Sequence, residues 1–188
     1  MRQPRLLEKE RENMAKLRKM LGSADSPYII SLMRLIETQS KSTIANWCVD
    51  YVTEHIAAIY RKAYPEDRCP EQALEAFREY QNGKIKLTDL KKAVAEVNNA
   101  AKAAEENPAA QAAARAVGQA AAAIYTPTHS LGLAFYGSAA VAYDRAGLSE
   151  KPEVYEQIAS EECGRMLAAL QAVAVENEEH PAKINWYC

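Results

Sequence analysis

The sequence predicts an all-α fold: a single-domain, Ala-rich bundle of about seven helices with two central, nearly fully buried ones. Three observations predict it. Alanine, the strongest helix former, occurs 35 times in 188 residues. Aromatic residues make up only 7% and β-branched residues are sparse, which leaves little material for strands. Proline, glycine and small polar residues recur at helix-length intervals. A 48% apolar content excludes a disordered chain, and seven Gly and four Cys exclude collagen-like and disulfide-scaffold architectures. The length is that of one domain, residues 1–188.

The elements follow in order. Arg5–Leu21 reads as a charged helix that Gly22 stops, so residues 1–22 form a charged N-terminal segment. Ser26-Pro27 starts the next helix, with Pro in the first position and Ile29, Leu32, Met33 and Ile36 as its apolar stripe. Gln39-Ser40-Lys41-Ser42 is a break with capping residues. One helix is expected over Thr43–Ala63, with Ile44, Trp47, Cys48, Tyr51 and Ile59 inward and Asp50, Glu54 and Arg61 towards the other side. His55 falls on the apolar stripe and reads as a core histidine. Pro70–Gln81 is a short helix stopped by Gly83, and Thr88 caps a seam of Leu90, Val94, Val97, Ala101 and Ala104.

Asn107-Pro108 opens the first central helix. Over 108–124 its polar side chains are Gln111, Arg115 and Gln119, all on one stripe. The second, over 131–143, carries almost none, and a helix apolar on nearly all sides is buried on nearly all sides. Gly147 ends it. Pro152–Glu178 is the last long helix, and residues 179–188 form a tail whose Trp186 and Tyr187 suggest that it packs. The uncharged run Ala116–Tyr143 is Ala- and Gly-rich and is broken at Thr126-Pro127-Thr128-His129, so no membrane span is expected.

Net charge is -2 but uneven, with an excess of basic residues in 1–20 and of Glu in 149–188. Such ends can dock on one another or on a second copy, so a homodimer is possible. They do not form the basic footprint of a nucleic-acid binder. The Glu run of the last helix, Glu150, Glu153, Glu156, Glu161 and Glu162, reads as a solvated face. Cys48, Cys69, Cys163 and Cys188 lack metal or redox spacing, and the charged N-terminus has no secretory pattern. Free thiols in a reducing cytoplasm are expected. No phosphate loop, nucleophile elbow or Glu-x-x-His pair appears, and none of the three histidines has another at helical ligand spacing. No metal site, cofactor or catalytic residue is expected, and an enzyme is the least favoured class.

Arg115 is the most informative residue. A guanidinium on so apolar a helix implies a partner, and Asp50 and Glu54 are the carboxylates expected to supply it as a structural ion pair. The competing reading is a small-molecule or anion-binding pocket built from Arg115, Gln119, His129 and Tyr136.

Several segments together carry a family resemblance: Pro27-Tyr28-Ile29-Ile30-Ser31-Leu32-Met33, Glu37-Thr38-Gln39-Ser40, Trp47 with Asp50-Tyr51, and Pro65-Glu66-Asp67 leading to Pro70. The longest runs from Ala112 through Arg115 and Gly118 to Ala120, followed by Thr128-His129 and Ala139-Ala140. The chain resembles the immunity proteins of bacterial polymorphic toxin systems, the all-helical class numbered five, over residues 27–147. The resemblance implies a cytoplasmic, non-enzymatic helical domain that binds and neutralises a cognate protein toxin by steric occlusion. The chain departs from the pattern at Cys69 and Glu71, where an Arg is expected beside Pro70, and at Asn98 and Gln119, where His is expected. Arg115 and His129 are the polar residues that survive.

Overall fold

The structure is a computed structural model and describes residues 17–186. The charged helix expected over Arg5–Leu21 therefore lies mostly outside the described residues, as do Tyr187 and Cys188. Residues 17–21 are bends and extended backbone rather than helix. Among the described residues there are eight helices: α1 Pro27–Ile36, α2 Lys41–His55, α3 Ala57–Ala63, α4 Cys69–Gln81, α5 Leu87–Ala103, α6 Pro108–Ala122, α7 His129–Ala146 and α8 Pro152–Val173.

Local chemistry accounts for most boundaries. Proline occupies the first turn of α1, α4, α6 and α8, where its missing N–H costs nothing. The Ser40 hydroxyl accepts the Thr43 N–H at 3.2 Å and the Asn107 side chain accepts the Ala110 N–H at 3.1 Å. Helix α5 starts one residue before the expected Thr88 cap: the Asp89 carboxylate instead accepts the Lys86 N–H at 3.1 Å. Gly147, at φ +75°, ends α7 in a conformation that a side chain would strain.

Two expectations fail in instructive ways. The helix expected over Thr43–Ala63 begins at Lys41 and is split at Ile56, whose φ of -118° breaks the ladder. The break accounts for the eighth helix, and it leaves His55 at the exposed end of α2, with 43% of its side chain accessible and its ring centroid 4.5 Å from that of Tyr51. It is not a core histidine. The last helix stops at Val173 rather than Glu178 because Ala174 turns to extended backbone.

The residue that receives the chain there is Gln39, only 2% exposed. Its side-chain oxygen accepts the Val175 N–H at 2.7 Å, its Nε2 donates to the Val175 carbonyl at 3.2 Å, and its own carbonyl accepts the Ala182 N–H at 2.8 Å. One buried amide thus clasps the tail, and the Trp186 indole N–H closes the clasp on Glu37. Replacing Gln39 by Ala removes its three side-chain bonds, two with Val175 and one to the Thr38 hydroxyl, and leaves the Val175 amide without its acceptor. We expect a loss of about 2–3 kcal/mol, seen as a lower denaturant midpoint, with faster hydrogen exchange concentrated at Val175 and Ala182.

The centre of the bundle is the antiparallel pair α6–α7, which makes the most extensive helix contact among the described residues. Helix α6 also touches α2, α3, α4 and α5, so it is surrounded. Its alanines allow this: Ala113, Ala114, Ala116, Ala120 and Ala121 are fully buried, and a methyl side chain lets the neighbouring backbone come near. Larger side chains, among them Phe77, Leu133 and Met166, fill the layers around the pair. Helix α8 is tied to the core by polar links. The Trp47 indole donates to the Met166 carbonyl at 3.1 Å and the Tyr51 hydroxyl to Glu162 at 2.6 Å. Glu162, read from the sequence as solvated, is 2% exposed and also accepts the Arg165 guanidinium. Glu156 is likewise engaged, by Arg18 at 2.8 Å and the Tyr28 hydroxyl at 3.1 Å. Among the described residues no helix is long and apolar enough to cross a membrane.

Candidate functional site

Helix α6 presents one stripe that is not fully buried: Gln111, Arg115 and Gln119, spaced by four residues so that they stack along one face. Gln111 is used structurally, its Nε2 donating to the Ala101 carbonyl of α5 at 2.9 Å. The other two look across to α7. The Gln119 side chain lies directly on Gly132: a Cβ built there would stand 2.2 Å from its Oε1 and 2.6 Å from its Cγ. One turn away the Arg115 guanidinium lies 5.8 Å from the centre of the Tyr136 ring. His129 opens α7 one turn before Gly132. The four residues proposed from sequence, Arg115, Gln119, His129 and Tyr136, therefore border one polar seam where α6 meets α7.

Gly118, beside that seam, receives the other neighbour. An added Cβ would meet Asn98 Oδ1 at 2.9 Å and Val97 Cγ1 at 3.2 Å, so the missing side chain sets the approach of α5. Asn98 and Gln119, the two positions where the resemblance leads one to expect histidine, thus each rest on a glycine of the next helix.

Asp50 and Glu54 do not join the seam. Both are exposed on the outer side of α2, where Glu54 stands 3.7 Å from His55. The expected ion pair with Arg115 is not formed, and the reason is helical phase: Trp47, Cys48, Tyr51 and Val52 take the inner face, which turns positions 50 and 54 outward. Arg115 pairs with no carboxylate among the described residues, and its Nε is shut off from water with no acceptor. A buried donor left unmade in this way costs about 1–3 kcal/mol, which the face of Tyr136 offsets in part. His129 Nδ1 is a second such atom, and Glu71 Oε2 on α4, away from the seam, is the third among the described residues. Burial lowers the pKa of His129 from its ordinary value, so the neutral ring is favoured at neutral pH.

Beyond Arg115 the seam opens into a hollow of about 440 Å³. Its floor is Gln111 and Arg115, its rim carries Lys19, Glu105 and Glu106, and Tyr143 closes one side. The Tyr143 hydroxyl donates to the Arg18 carbonyl and so fixes the wall that residues 17–19 form. Burial raises the pKa of the Tyr143 phenol to about 12, which keeps it a hydrogen-bond donor at any ordinary pH. Sequence reasoning found Arg115 but missed this hollow, because Lys19, Glu105 and Tyr143 come from three separate segments.

The described cysteines, Cys48, Cys69 and Cys163, are free thiols. Cys48 and Cys163 are buried, and burial pushes both thiols up, Cys163 to about 11. Among the described residues no group of three acidic, His or Cys side chains is placed to hold a metal ion.

Comparison with known proteins gives one match. The family model described as Imm-5 like putative immunity protein matches residues 34–169, which spans α2 to α7 and most of α8. No curated protein and no solved structure matches the chain.

Proposed function

The chain belongs to the Imm-5 like family of immunity proteins, and on that premise we propose that it is a non-enzymatic binder that neutralises a cognate protein toxin by covering the toxin's active site. It acts in the cytoplasm of the cell that makes it. The family match carries this reading. The polar seam supports it: Arg115, Gln119, His129 and Tyr136 lie along a rigid helix pair, so they are held before a partner arrives, and preorganised side chains lose little entropy on binding. Two of the three buried side-chain atoms left unpartnered among the described residues, Arg115 Nε and His129 Nδ1, belong to this seam; the third, Glu71 Oε2, lies on α4.

The test uses the protein encoded beside this one. The full chain, co-expressed with that protein, is expected to rescue growth, to co-purify with it as a stoichiometric complex, and to abolish its activity on substrate. Lack of both rescue and complex formation overturns the immunity reading. A complex that remains active on its substrate overturns occlusion while leaving binding intact.

A further inference from the structure

We infer that the hollow at the end of the α6–α7 seam is a carboxylate-binding site, with Arg115 as the residue that takes the carboxylate. Three observations converge on it. First, Arg115 is the one arginine among the described residues that is not exposed. Second, it is without a carboxylate of its own, a lack it shares among the described arginines only with the exposed Arg34, Arg78 and Arg145, whereas Arg18, Arg61, Arg68 and Arg165 each have one. Its Nε is closed off from water and meets no acceptor, while the rest of the guanidinium is half-buried with no anion to hold. Third, the guanidinium lines an open hollow rather than packed core.

The lining selects the ligand. Gln111 already spends its amide on α5, so it fixes the floor rather than binding. Arg18 is neutralised by Glu156, and Lys19 remains as the second free cation. Glu105 and Glu106 on the rim oppose them. That balance repels a chain of phosphates and admits a single carboxylate, to which the planar guanidinium donates two parallel hydrogen bonds. Tyr136 behind the guanidinium holds its plane. The carboxylate has two sources, an Asp or Glu side chain of the partner protein or a free organic acid of metabolite size. The first deepens the immunity reading and rests on it; the second does not.

The experiment separates them. In the full chain with ¹⁵N-labelled arginine, the Arg115 Nε–Hε resonance is followed while sodium glutarate is added, with sodium chloride and inorganic phosphate as controls. A saturable shift with glutarate alone, accompanied by a rise in Tm that R115Q abolishes, identifies a site for free carboxylates. If glutarate has no effect, the same resonance is followed on adding the protein encoded beside this one. A shift then, with R115Q weakening the complex at least tenfold and R115K recovering part of the loss, identifies a carboxylate of the partner. No response in either arm, or a partner that binds R115Q as well as the native chain, overturns the inference. Loss of rescue by the native chain itself overturns the immunity reading, and leaves the glutarate arm to decide the site.

Discussion

Ala116→Leu is expected to destabilise the protein by about 3 kcal/mol or more, the upper part of the range for overpacked cores. Ala116 is fully buried on α6, the helix that contacts five of the other seven described helices. Three extra heavy atoms have no void to enter, because protein interiors are packed as densely as organic crystals. Room can be made only by separating α6 from a neighbour, and each neighbour is held by short turns and by its own buried side. For a chain of this length the change lowers Tm by about 6–12 °C. Ala95→Leu is the control: Ala95 is exposed on α5, and its substitution should move stability by no more than about 0.5 kcal/mol. Paired denaturant titrations measure both. A cost below about 1 kcal/mol for Ala116→Leu would show that the centre holds unused space, and that small side chains there do not set the helix spacing.

The same alanines explain why the fold was readable and the site only half so. Alanine and proline report locally, and helix existence is a local property; seven of the eight described helices correspond to predicted segments because their caps and stripes lie in contiguous sequence. The split at Ile56 carries no proline or glycine and so gave no sign. At the site, the stripe Gln111, Arg115 and Gln119 is legible from helical period alone. The expected partner of Arg115 fails on the same period: the buried face of α2 centres on Cys48 and Val52, which puts Asp50 and Glu54 on the far side. Glu162 is the converse case. It sits in the series Tyr155, Ala159, Glu162, Met166, Leu170, all of them buried, so spacing marked it as a seam position while residue type suggested solvent. Gln39 had no local signal: its burial depends on a tail that returns from 136 residues away.

Alkaline unfolding between about pH 10 and 12 is the second large effect expected, and it follows from three buried phenols. Tyr51, Tyr60 and Tyr143 are 4%, 2% and 4% exposed. Burial is the main cause that raises each pKa above the ordinary value, Tyr143 to about 12 and the other two further. Tyr51 and Tyr60 are also held neutral by donating to carboxylates, Glu162 and Asp67, each at 2.6 Å. In the unfolded chain a tyrosine loses its proton near about pH 10. Above that pH the unfolded state binds fewer protons than the folded one, so stability falls as pH rises; below it the contribution is complete. Each phenol contributes up to about 1.4 kcal/mol per pH unit in this window. Three together approach about 4 kcal/mol per unit, against a total stability of about 5–15 kcal/mol. Absorbance at 295 nm and circular dichroism, recorded on one pH series, test this directly. Tyr51, Tyr60 and Tyr143 should ionise only with the cooperative loss of helix. Tyr51→Phe should lower stability at neutral pH, because it leaves Glu162 Oε1 without its donor while Arg165 still holds Oε2, yet reduce the alkaline slope by about a third. Ionisation of every tyrosine before any helix is lost would mean that these phenols reach water in the folded protein, and that α2 is not sealed against α8.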